Sequence, residues 1–229
     1  MKIGIIIPTR GDRPEFLKNC LRMIEAQTIY KMKPRPIIDI CIVDYKATSP
    51  ECDITARYRK GYEYFRGKGF DIIFLLEDDD FYHPSYMSCM INYWEENYRP
   101  PILGLQHTVY YHIGLKKYYY MHHRTRSSAM NTTIKPDLIF KWCPDHYAYT
   151  DIHLWETIKN GVTVKPNAEI CLGIKHGIGL CGGGMHTTQL HRYSDKDSFD
   201  DIDFKFLKEN TDPESFKFYL EMHKKIAVN

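Results

Sequence analysis

Residues 74–80 read Phe-Leu-Leu-Glu-Asp-Asp-Asp, an apolar run that leads directly into four consecutive acids. The apolar spacing of residues 71–76 predicts a buried strand. In open α/β sheets, ligands bind at the carboxyl ends of strands. Adjacent carboxylates repel one another strongly, and oxygen ligands of this kind suit Mg²⁺ or Mn²⁺. The stretch therefore indicates a metal site at a strand end, with an acidic surface turn as the alternative.

The first hundred residues around this stretch alternate between strand and helix patterns. Strands are predicted over residues 3–7, 38–43 and 71–76, and helices over 13–27, over 54–65 and from Pro84 onward. Asp12 and Glu15 have the spacing of a capping box at the start of the first helix. Alternation of this kind predicts a parallel sheet with right-handed crossovers.

The pattern changes after residue 100. Strand-rich stretches at 102–110, 117–122 and 127–134 have no long helices between them, which predicts a mixed sheet. A helix over 149–160 is expected to end at Gly161, a glycine-rich loop spans 173–184, and two short helices follow, the second starting at Asp212-Pro213-Glu214. The predicted fold class is α/β, with a mixed, mainly parallel central sheet flanked by helices.

Composition narrows the functional classes. With 229 residues, of which 43% are apolar, the chain suits one catalytic domain over residues 1–229. A net charge of +2 provides no chain-wide basic field for nucleic acid. The seven cysteines are scattered without a CxxC pair, which favours a reducing, cytoplasmic location. No apolar run approaches the roughly 20 residues of a transmembrane segment, so none is expected.

An ordered set of motifs resembles the family 2 type of GT-A glycosyltransferases over roughly residues 3–165. The motifs are Ile7 to Arg10, Val43-Asp44, Ala56-Arg57 with Gly61, Leu76 to Asp80, and Thr150-Asp151-x-x-Leu154-Trp155. The resemblance implies a GT-A fold with a nucleotide-sugar-binding half over 1–100, an acceptor and catalytic half over 101–190, and a helical appendage over 191–229. It also implies a nucleotide-sugar donor and a Mn²⁺ or Mg²⁺ cofactor.

The same resemblance assigns residues to the donor and the metal. Pro8, Thr9 and Arg10 would line the nucleotide pocket, Asp44 would bind the base, and Arg57 would lie near the base and diphosphate. The family's DxD element has two registers here, Glu77-x-Asp79 and Asp78-x-Asp80. Alignment on Leu76 favours the first register, in which Glu77 and Asp78 contact the donor and Asp79 binds the metal. In the second register the metal ligand is Asp80.

Asp151 matches the general base of inverting members of the family, and Asp145 is the reserve candidate. In this chain Thr150 and His153 stand where the family has further acids. An inverting transfer needs a carboxylate near the acceptor hydroxyl, on the sugar face opposite the departing diphosphate. The departures at 150 and 153 keep open a non-catalytic nucleotide-sugar-binding domain.

Residues 175–186 form a late segment rich in glycine and histidine. Its GxGxxG pattern lacks the strand and helix of a dinucleotide fingerprint, and a lid over the donor fits better. Several GT-A enzymes take a histidine metal ligand from a late loop, which makes His186 and His176 candidates.

The basic and aromatic stretch 116–126 suits stacking on sugar rings or bases, with a solvated edge strand as the alternative. The resemblance predicts metal-dependent, inverting transfer of a sugar from a nucleotide donor, with a UDP-sugar favoured, to a hydroxyl of a glycan, protein or lipid. Hydroxylated DNA bases are the alternative acceptor. A metal-dependent nucleotidyltransferase would need a glycine-rich basic loop after the first strand, which Gly11-Asp12-Arg13 resembles only faintly.

Overall fold

The computed structural model describes residues 1–46, 52–147, 149–177, 190–193 and 197–227. The strands within these ranges are β1 (Lys2–Thr9), β2 (Ile37–Asp44), β3 (Ile72–Leu75), β4 (Phe81–Tyr82), β5 (Ile102–Leu105), β6 (His107–His112), β7 (Lys117–His122), β8 (Thr132–Ile134), β9 (Val162–Val164), β10 (Cys171–Lys175) and β11 (Ser198–Asp200). The helices are α1 (Pro14–Glu25), α2 (Ile54–Phe65), α3 (Tyr86–Glu96), α4 (Thr150–Thr157), α5 (Lys205–Glu209) and α6 (Pro213–Ala227).

The first sheet has the strand order β2-β1-β3-β8-β5-β9. Strand β1 runs parallel to both β2 and β3, and β9 runs parallel to β5. Strand β8 is antiparallel to its neighbours β3 and β5, so the sheet is mixed but mainly parallel, as predicted. Thr9 pairs with Asp44, which places the carboxyl ends of β1 and β2 side by side.

A second sheet has the order β11-β7-β6-β10-β4, and the sequence did not predict it as a separate layer. The strand-rich stretch predicted over 102–110 divides into β5 and β6, because the chain passes from the first sheet to the second at Gln106. The Gln106 N–H donates to the carbonyl of Val164 at 2.8 Å. Strand β7 lies between β11 and β6, which corrects the interpretation of 116–126 as an edge strand.

Alternate side chains of β1 enter two apolar cores on opposite faces of the first sheet. Ile3, Ile5 and Ile7 pack with residues of α1, α3 and α6, and Ile6 packs with residues of α2 and α4. Helix α2 approaches β1 closely at Gly61, where an added Cβ would lie 2.4 Å from Ile6 Cγ2. The prediction of a first strand buried on both faces is confirmed.

Several predicted boundaries are wrong for local reasons. Helix α1 begins at Pro14, and its N-cap residue Arg13 makes no side-chain capping bond, so the capping box of Asp12 and Glu15 does not form. Proline at the first helical position starts the helix through its fixed φ. The stretch 127–134 contains a 3-10 turn at Ala129–Asn131, and only its last three residues, β8, form a strand.

Helix α4 ends at Thr157, so Gly161 is not its C-cap. Glycine is required there by packing, since an added Cβ would lie 2.7 Å from Ile102 Cγ2 and 2.8 Å from the Trp155 ring. The predicted glycine-rich loop begins inside β10, which includes Gly173. Its part from residue 178 to 184 lies outside the described residues.

The carboxyl-terminal segment contains the two expected helices. The second begins at Pro213 as predicted, and Asp212 Oδ1 accepts the backbone N–H groups of Glu214 and Ser215 at 3.0 and 3.1 Å. The segment also supplies β11 to the second sheet and Tyr219 to the first core. Across the described ranges, none of the helices has both the length and the apolar character needed to cross a membrane.

Candidate active site

The acidic run of residues 77–80 connects β3 of the first sheet to β4 of the second. Asp78, Asp79 and Asp80 are 3%, 8% and 0% exposed, and Glu77 is half-buried. The backbone N–H of Glu77 donates to the Tyr82 hydroxyl at 2.8 Å, which holds the start of the run. This burial excludes the alternative of an acidic surface turn.

Asp80 joins the acidic run to the second sheet. Its Oδ1 accepts the backbone N–H of Ile174 in β10 at 2.7 Å, while its Oδ2 has no hydrogen-bond partner within the described ranges. Asp78 Oδ2 is buried and lacks a hydrogen-bond partner in the same way. Because a buried carboxylate oxygen without a partner is costly, a positively charged ligand or a proton could satisfy these two atoms.

Arg13 and His176 surround Asp79. The Arg13 guanidinium donates to Asp79 Oδ2 at 2.7 Å and to Asp78 Oδ1 at 2.9 Å. His176 Nε2 lies 2.9 Å from the same Asp79 oxygen and 2.9 Å from Arg13 Nη1. The His176 ring is buried and packs on Phe16 with a centroid distance of 4.6 Å. Helix α1 and strand β10 therefore meet at Asp79.

The environments of the four acids give them different pKa values. Burial raises the pKa of Glu77 to about 7, and the charge of Lys175 only partly opposes that rise. Burial and the neighbouring charge of Asp79 raise the pKa of Asp78 to about 7. Burial also raises the pKa of Asp80. For Asp79 burial acts in the same direction, but Arg13 and His176 overcome it and hold the pKa well below its usual range.

The donor set fits a divalent cation. Carboxylate oxygens of Glu77, Asp79 and Asp80 lie within 4.8 Å of one another. When all four acids are ionised they carry four negative charges, and Arg13 and Lys175 offset two of them. The negative charge that remains suits a divalent cation such as Mg²⁺ or Mn²⁺, for which oxygen ligands are preferred.

These groups open into a cavity of about 440 Å³. Its walls include side chains from both sheets, from α2 and α4 and from the start of α1: Thr9, Arg10, Arg13, Arg57, Glu77, Asp78, Asp79, Tyr110, Tyr119, Arg126, Asp151, Lys175 and Arg192. Asp80 lies beneath this surface and is not part of the lining. The structure thus brings most of the predicted site residues into one cavity.

The predicted nucleotide residues at the end of β1 line this cavity. Pro8, Thr9 and Arg10 all do so, and Arg10 pairs with Asp53 at 3.4 Å. Asp44 ends β2 but is exposed and lies outside the lining, next to Gly11, where an added Cβ would be 2.9 Å from its Oδ1. Base binding by Asp44 stays a prediction, and the residue lies outside the cavity lining at the exposed end of β2.

Arg57, which was predicted to lie near the base and diphosphate, is 1% exposed and lines the cavity. Its terminal nitrogens donate to three backbone carbonyls, those of Thr9, of Val43 at 3.1 Å and of Tyr45 at 2.8 Å. They also donate to Asp53 Oδ2 at 2.8 Å. These bonds use all four terminal N–H groups. Arg57 therefore holds the ends of β1 and β2 in place beneath the cavity.

Asp151, the predicted general base, lies in the first turn of α4 and faces the cavity. Its Oδ2 accepts a hydrogen bond from the Arg126 guanidinium at 2.5 Å. Burial raises the pKa of Asp151, and the charge of Arg126 opposes the rise. The reserve candidate Asp145 lies outside the cavity and pairs with Arg59 at 2.8 Å.

The two histidine candidates have different outcomes. His176 contacts Asp79 as described above, whereas His186 lies outside the described residues. His153, which replaces a family acid, lies 2.5 Å from the carbonyl of Lys141 through its Nε2. It is absent from the cavity lining, and Thr150 is buried but lines the cavity.

The basic aromatic stretch divides between two faces. Tyr119, Met121 and Arg126 line the cavity, and Tyr118 stacks on the opposite face against Phe206 with a centroid distance of 3.7 Å. Sequence reasoning assigned no role to the individual residues Arg13, Lys175, Arg126 and Arg192. Arg13 and Lys175 belonged to segments that the sequence drew attention to, but only the tertiary structure shows that they contact or face the acids.

Comparisons with known proteins test the fold. Neither a protein-family model nor a curated protein matches this sequence. Among solved structures, residues 1-349 of S. aureus TarS in complex with UDP-GlcNAc align with a TM-score of 0.51 and 9% identity, over 100% of this chain and 82% of that chain. The chain has the GT-A fold.

Two further GT-A structures align less closely. S. aureus TarS 1-349 in complex with UDP gives a TM-score of 0.48 at 11% identity, over 76% of this chain, which spans 60% of that chain's length. The catalytic domain of Drosophila beta1,4galactosyltransferase 7 in complex with xylobiose gives 0.40 at 14% identity, over 97% of this chain and 79% of that one. The GT-A fold predicted from the sequence is confirmed by the alignment with TarS bound to UDP-GlcNAc.

Proposed function

We propose that this protein is a metal-dependent, inverting glycosyltransferase that moves a sugar from a UDP-sugar to a hydroxyl acceptor. The observation that carries the proposal is that Asp151 lines the same cavity as Glu77, Asp78 and Asp79 of the acidic run. The GT-A neighbour with the higher TM-score was solved with UDP-GlcNAc, which supports a uridine nucleotide as donor. The acceptor proposed is a glycan, protein or lipid, as the family resemblance implies.

The donor side of the cavity would be formed by Thr9, Arg10 and the acidic run. Glu77, Asp79 and Asp80 would hold Mn²⁺ or Mg²⁺, whose charge stabilises the departing diphosphate. The Glu77-x-Asp79 register fits best, because these two acids line the cavity and Asp80 lies beneath it. Lys175 faces the same acids and adds positive charge at this end of the cavity.

The acceptor side would be formed by α4 and β7. Asp151 accepts the proton of the attacking hydroxyl, and Arg126 orients the carboxylate through their hydrogen bond. Tyr110 and Tyr119 stack at a centroid distance of 5.5 Å beside this position, and their rings suit contact with a sugar face.

The ion pair between Asp151 and Arg126 also favours a second candidate, a non-catalytic nucleotide-sugar-binding domain. A carboxylate that serves only to hold Arg126 would leave the protein able to bind the donor without transferring it.

Free thiols at the buried Cys20, Cys143 and Cys171 agree with a reducing, cytoplasmic location, which stays a proposal.

Donor binding and turnover separate these functions. Thermal shift and calorimetry with a panel of nucleotide sugars, with and without Mn²⁺, should show stabilisation by UDP or a UDP-sugar that depends on the metal. UDP release should then be measured with glycan, protein, lipid and hydroxylated DNA acceptors. Metal-dependent binding without turnover on any of them would favour the non-catalytic candidate, and absence of binding would refute both.

The Asp151→Asn variant tests the base. We expect it to lower kcat about 10²- to 10⁴-fold, the usual contribution of general base catalysis, and to leave the UDP affinity unchanged. Asp145→Asn is the matched control, because Asp145 lies outside the cavity and should retain wild-type turnover. Wild-type kcat in Asp151→Asn would show that another group accepts the proton.

A further inference from the structure

Arg13 is a cation that the fold itself places on the acidic run. Its guanidinium bridges Asp78 and Asp79, and its two contacts at 2.9 and 2.7 Å reach carboxylates that are almost fully buried. Arginine cannot lose its charge in a protein, so this contact persists at every physiological pH. Asp79 belongs both to this bridge and to the set of Glu77, Asp79 and Asp80 that could hold a metal ion.

The contacts around Asp79 cannot all be satisfied together. Asp79 Oδ2 lies within hydrogen-bond distance of both Arg13 Nη1 and His176 Nε2, and those two nitrogens lie 2.9 Å from each other. A ring nitrogen either donates or accepts one hydrogen bond in its plane, so Nε2 serves either Arg13 or Asp79. Arg13 Nε is buried without a hydrogen-bond partner in the described structure. The bridge is therefore imperfectly bonded on the Arg13 side.

We infer that Arg13 is a displaceable counter-cation, which competes with the divalent metal for Asp79 and is released toward the donor diphosphate when the metal binds. This inference rests on the metal site of the proposed function and adds a role for a residue outside the acidic run. Removal of Arg13 should make the protein bind metal more tightly in the absence of nucleotide. A structural role alone would have the opposite effect, because loss of the bridge would disorder the acids.

The geometry allows the displacement. Arg13 lines the cavity as the N-cap residue of α1, and although its carbonyl accepts the N–H of Phe16 at 3.0 Å, its side chain makes no capping bond to the helix. Its guanidinium carbon lies 5.5 Å from the centre of the Phe16 ring, so the side chain lies along an aromatic surface. Rotation of the guanidinium toward the cavity exchanges carboxylate partners for phosphate oxygens, which arginine binds with the same paired donors. Nucleotide and metal binding are therefore coupled through Arg13.

The experiment measures Mn²⁺ affinity directly on the full chain, by calorimetry and by electron paramagnetic resonance of free Mn²⁺. Wild type and Arg13→Gln are compared without nucleotide and with saturating UDP. Arg10→Gln is the matched control, since it removes the same charge from the same cavity but from a residue that pairs with Asp53. A melting curve of each variant establishes that it is folded.

Without nucleotide, Arg13→Gln should bind Mn²⁺ about tenfold more tightly than wild type, and Arg10→Gln should remain within about threefold. With UDP the advantage of Arg13→Gln should shrink, because the variant lacks the guanidinium that wild type offers to the phosphates. Should Arg13→Gln fail to fold, Arg13→Lys takes its place with a smaller gain, since an ammonium cannot bridge two carboxylates in the same way.

Unchanged or weaker Mn²⁺ binding in a folded Arg13→Gln variant would overturn the inference. An equal gain in Arg10→Gln would also overturn it, because the effect would then come from charge and not from the bridge. If wild type binds Mn²⁺ only with UDP while Arg13→Gln gains nothing, the inference fails and the proposed function stands. If neither protein binds Mn²⁺ with or without UDP, the inference and the metal dependence both fail, and UDP binding alone then tests the donor assignment.

Discussion

Binding of Mn²⁺ to the acidic run should release protons, because two of its carboxyls hold protons near neutral pH. The pKa values of Glu77 and Asp78 are raised to about 7 by burial, so each group is about half protonated at pH 7. A metal ion requires the ionised carboxylates. These two carboxyls therefore contribute about one proton per ion at pH 7, a contribution that falls as the pH rises, and the raised pKa of Asp80 adds to the release.

The same linkage predicts how affinity and stability depend on pH. The logarithm of the Mn²⁺ association constant should rise with a slope of at least about one near pH 7, so that affinity increases at least about tenfold between pH 6.5 and 7.5. Without metal, the folded chain binds protons at these two carboxyls more tightly than the unfolded chain does. Its stability should thus fall as pH rises from the ordinary carboxyl pKa values of 3.8 and 4.5 through about 7.

Calorimetry of Mn²⁺ binding in buffers with different protonation enthalpies measures the proton count. Glu77→Gln should lower the release by about half a proton at pH 7, if the ion still binds. Asp212→Asn is a suitable control, because the pKa of Asp212 is lowered by its bonds to Ser215 and Arg22 against the effect of burial, so it holds no proton near neutrality. A proton release below about 0.2 at pH 7, with no slope in affinity, would refute the reasoning.

Arg57→Met should lower the free energy of unfolding by about 3–5 kcal/mol, the usual cost when a buried ion pair loses one partner. The reason is that Asp53 and the carbonyls of Thr9, Val43 and Tyr45 lose their hydrogen-bond donor. Urea denaturation measures this, and a loss under about 1 kcal/mol would contradict the role given to Arg57. Gly61→Ala should destabilise by about 1–3 kcal/mol in the same assay, since its methyl group overlaps Ile6, and a neutral effect would show that α2 can shift. Arg126→Met should move the acidic limb of the kcat profile to higher pH, because the guanidinium opposes the burial that raises the pKa of Asp151. An unmoved limb would show that Arg126 does not tune the base.

The sequence predicted the strand ends of the first sheet well. The β-branched run of β1 is buried on both faces, and the ends at Thr9 and Asp44 lie side by side as expected. Local apolar patterns suffice for this result, because each strand is short, continuous and bounded by a proline or an acid. The position of the acids at the end of β3 was predictable for the same reason.

The second sheet could not be predicted in this way. The side-chain period of a strand is the same in either sheet, so the pattern over 102–110 contains no sign of the transfer at Gln106. The start of α1 was misjudged because Asp12 and Glu15 have the right spacing, whereas Pro14 determines the start. Residue spacing alone does not show which of two adjacent helix-start signals, the capping box or the proline, determines the first residue of the helix.

The charge partners of the site were also beyond sequence reasoning. Arg13 reaches acids that lie 65 and 66 positions along the chain, and Asp151 pairs with Arg126 from another element. Such pairs depend on how helices and strands pack and not on local propensity. The four acids can be identified as a cluster because they are consecutive in the sequence. The cations that pair with them can be identified only from the three-dimensional structure.

The antiparallel strand β8, inserted between β3 and β5, affects how the protein is made on the ribosome. Ile73 pairs with Ile134, and β5 pairs with β9 at residues 162–164. A nascent chain that has emerged only to residue 100 contains β1, β2 and β3 but exposes one side of β3 as an unpaired edge. Because such long-range pairing is slow and open edges invite aggregation, the amino-terminal strands require protection until the middle of the chain has been synthesised.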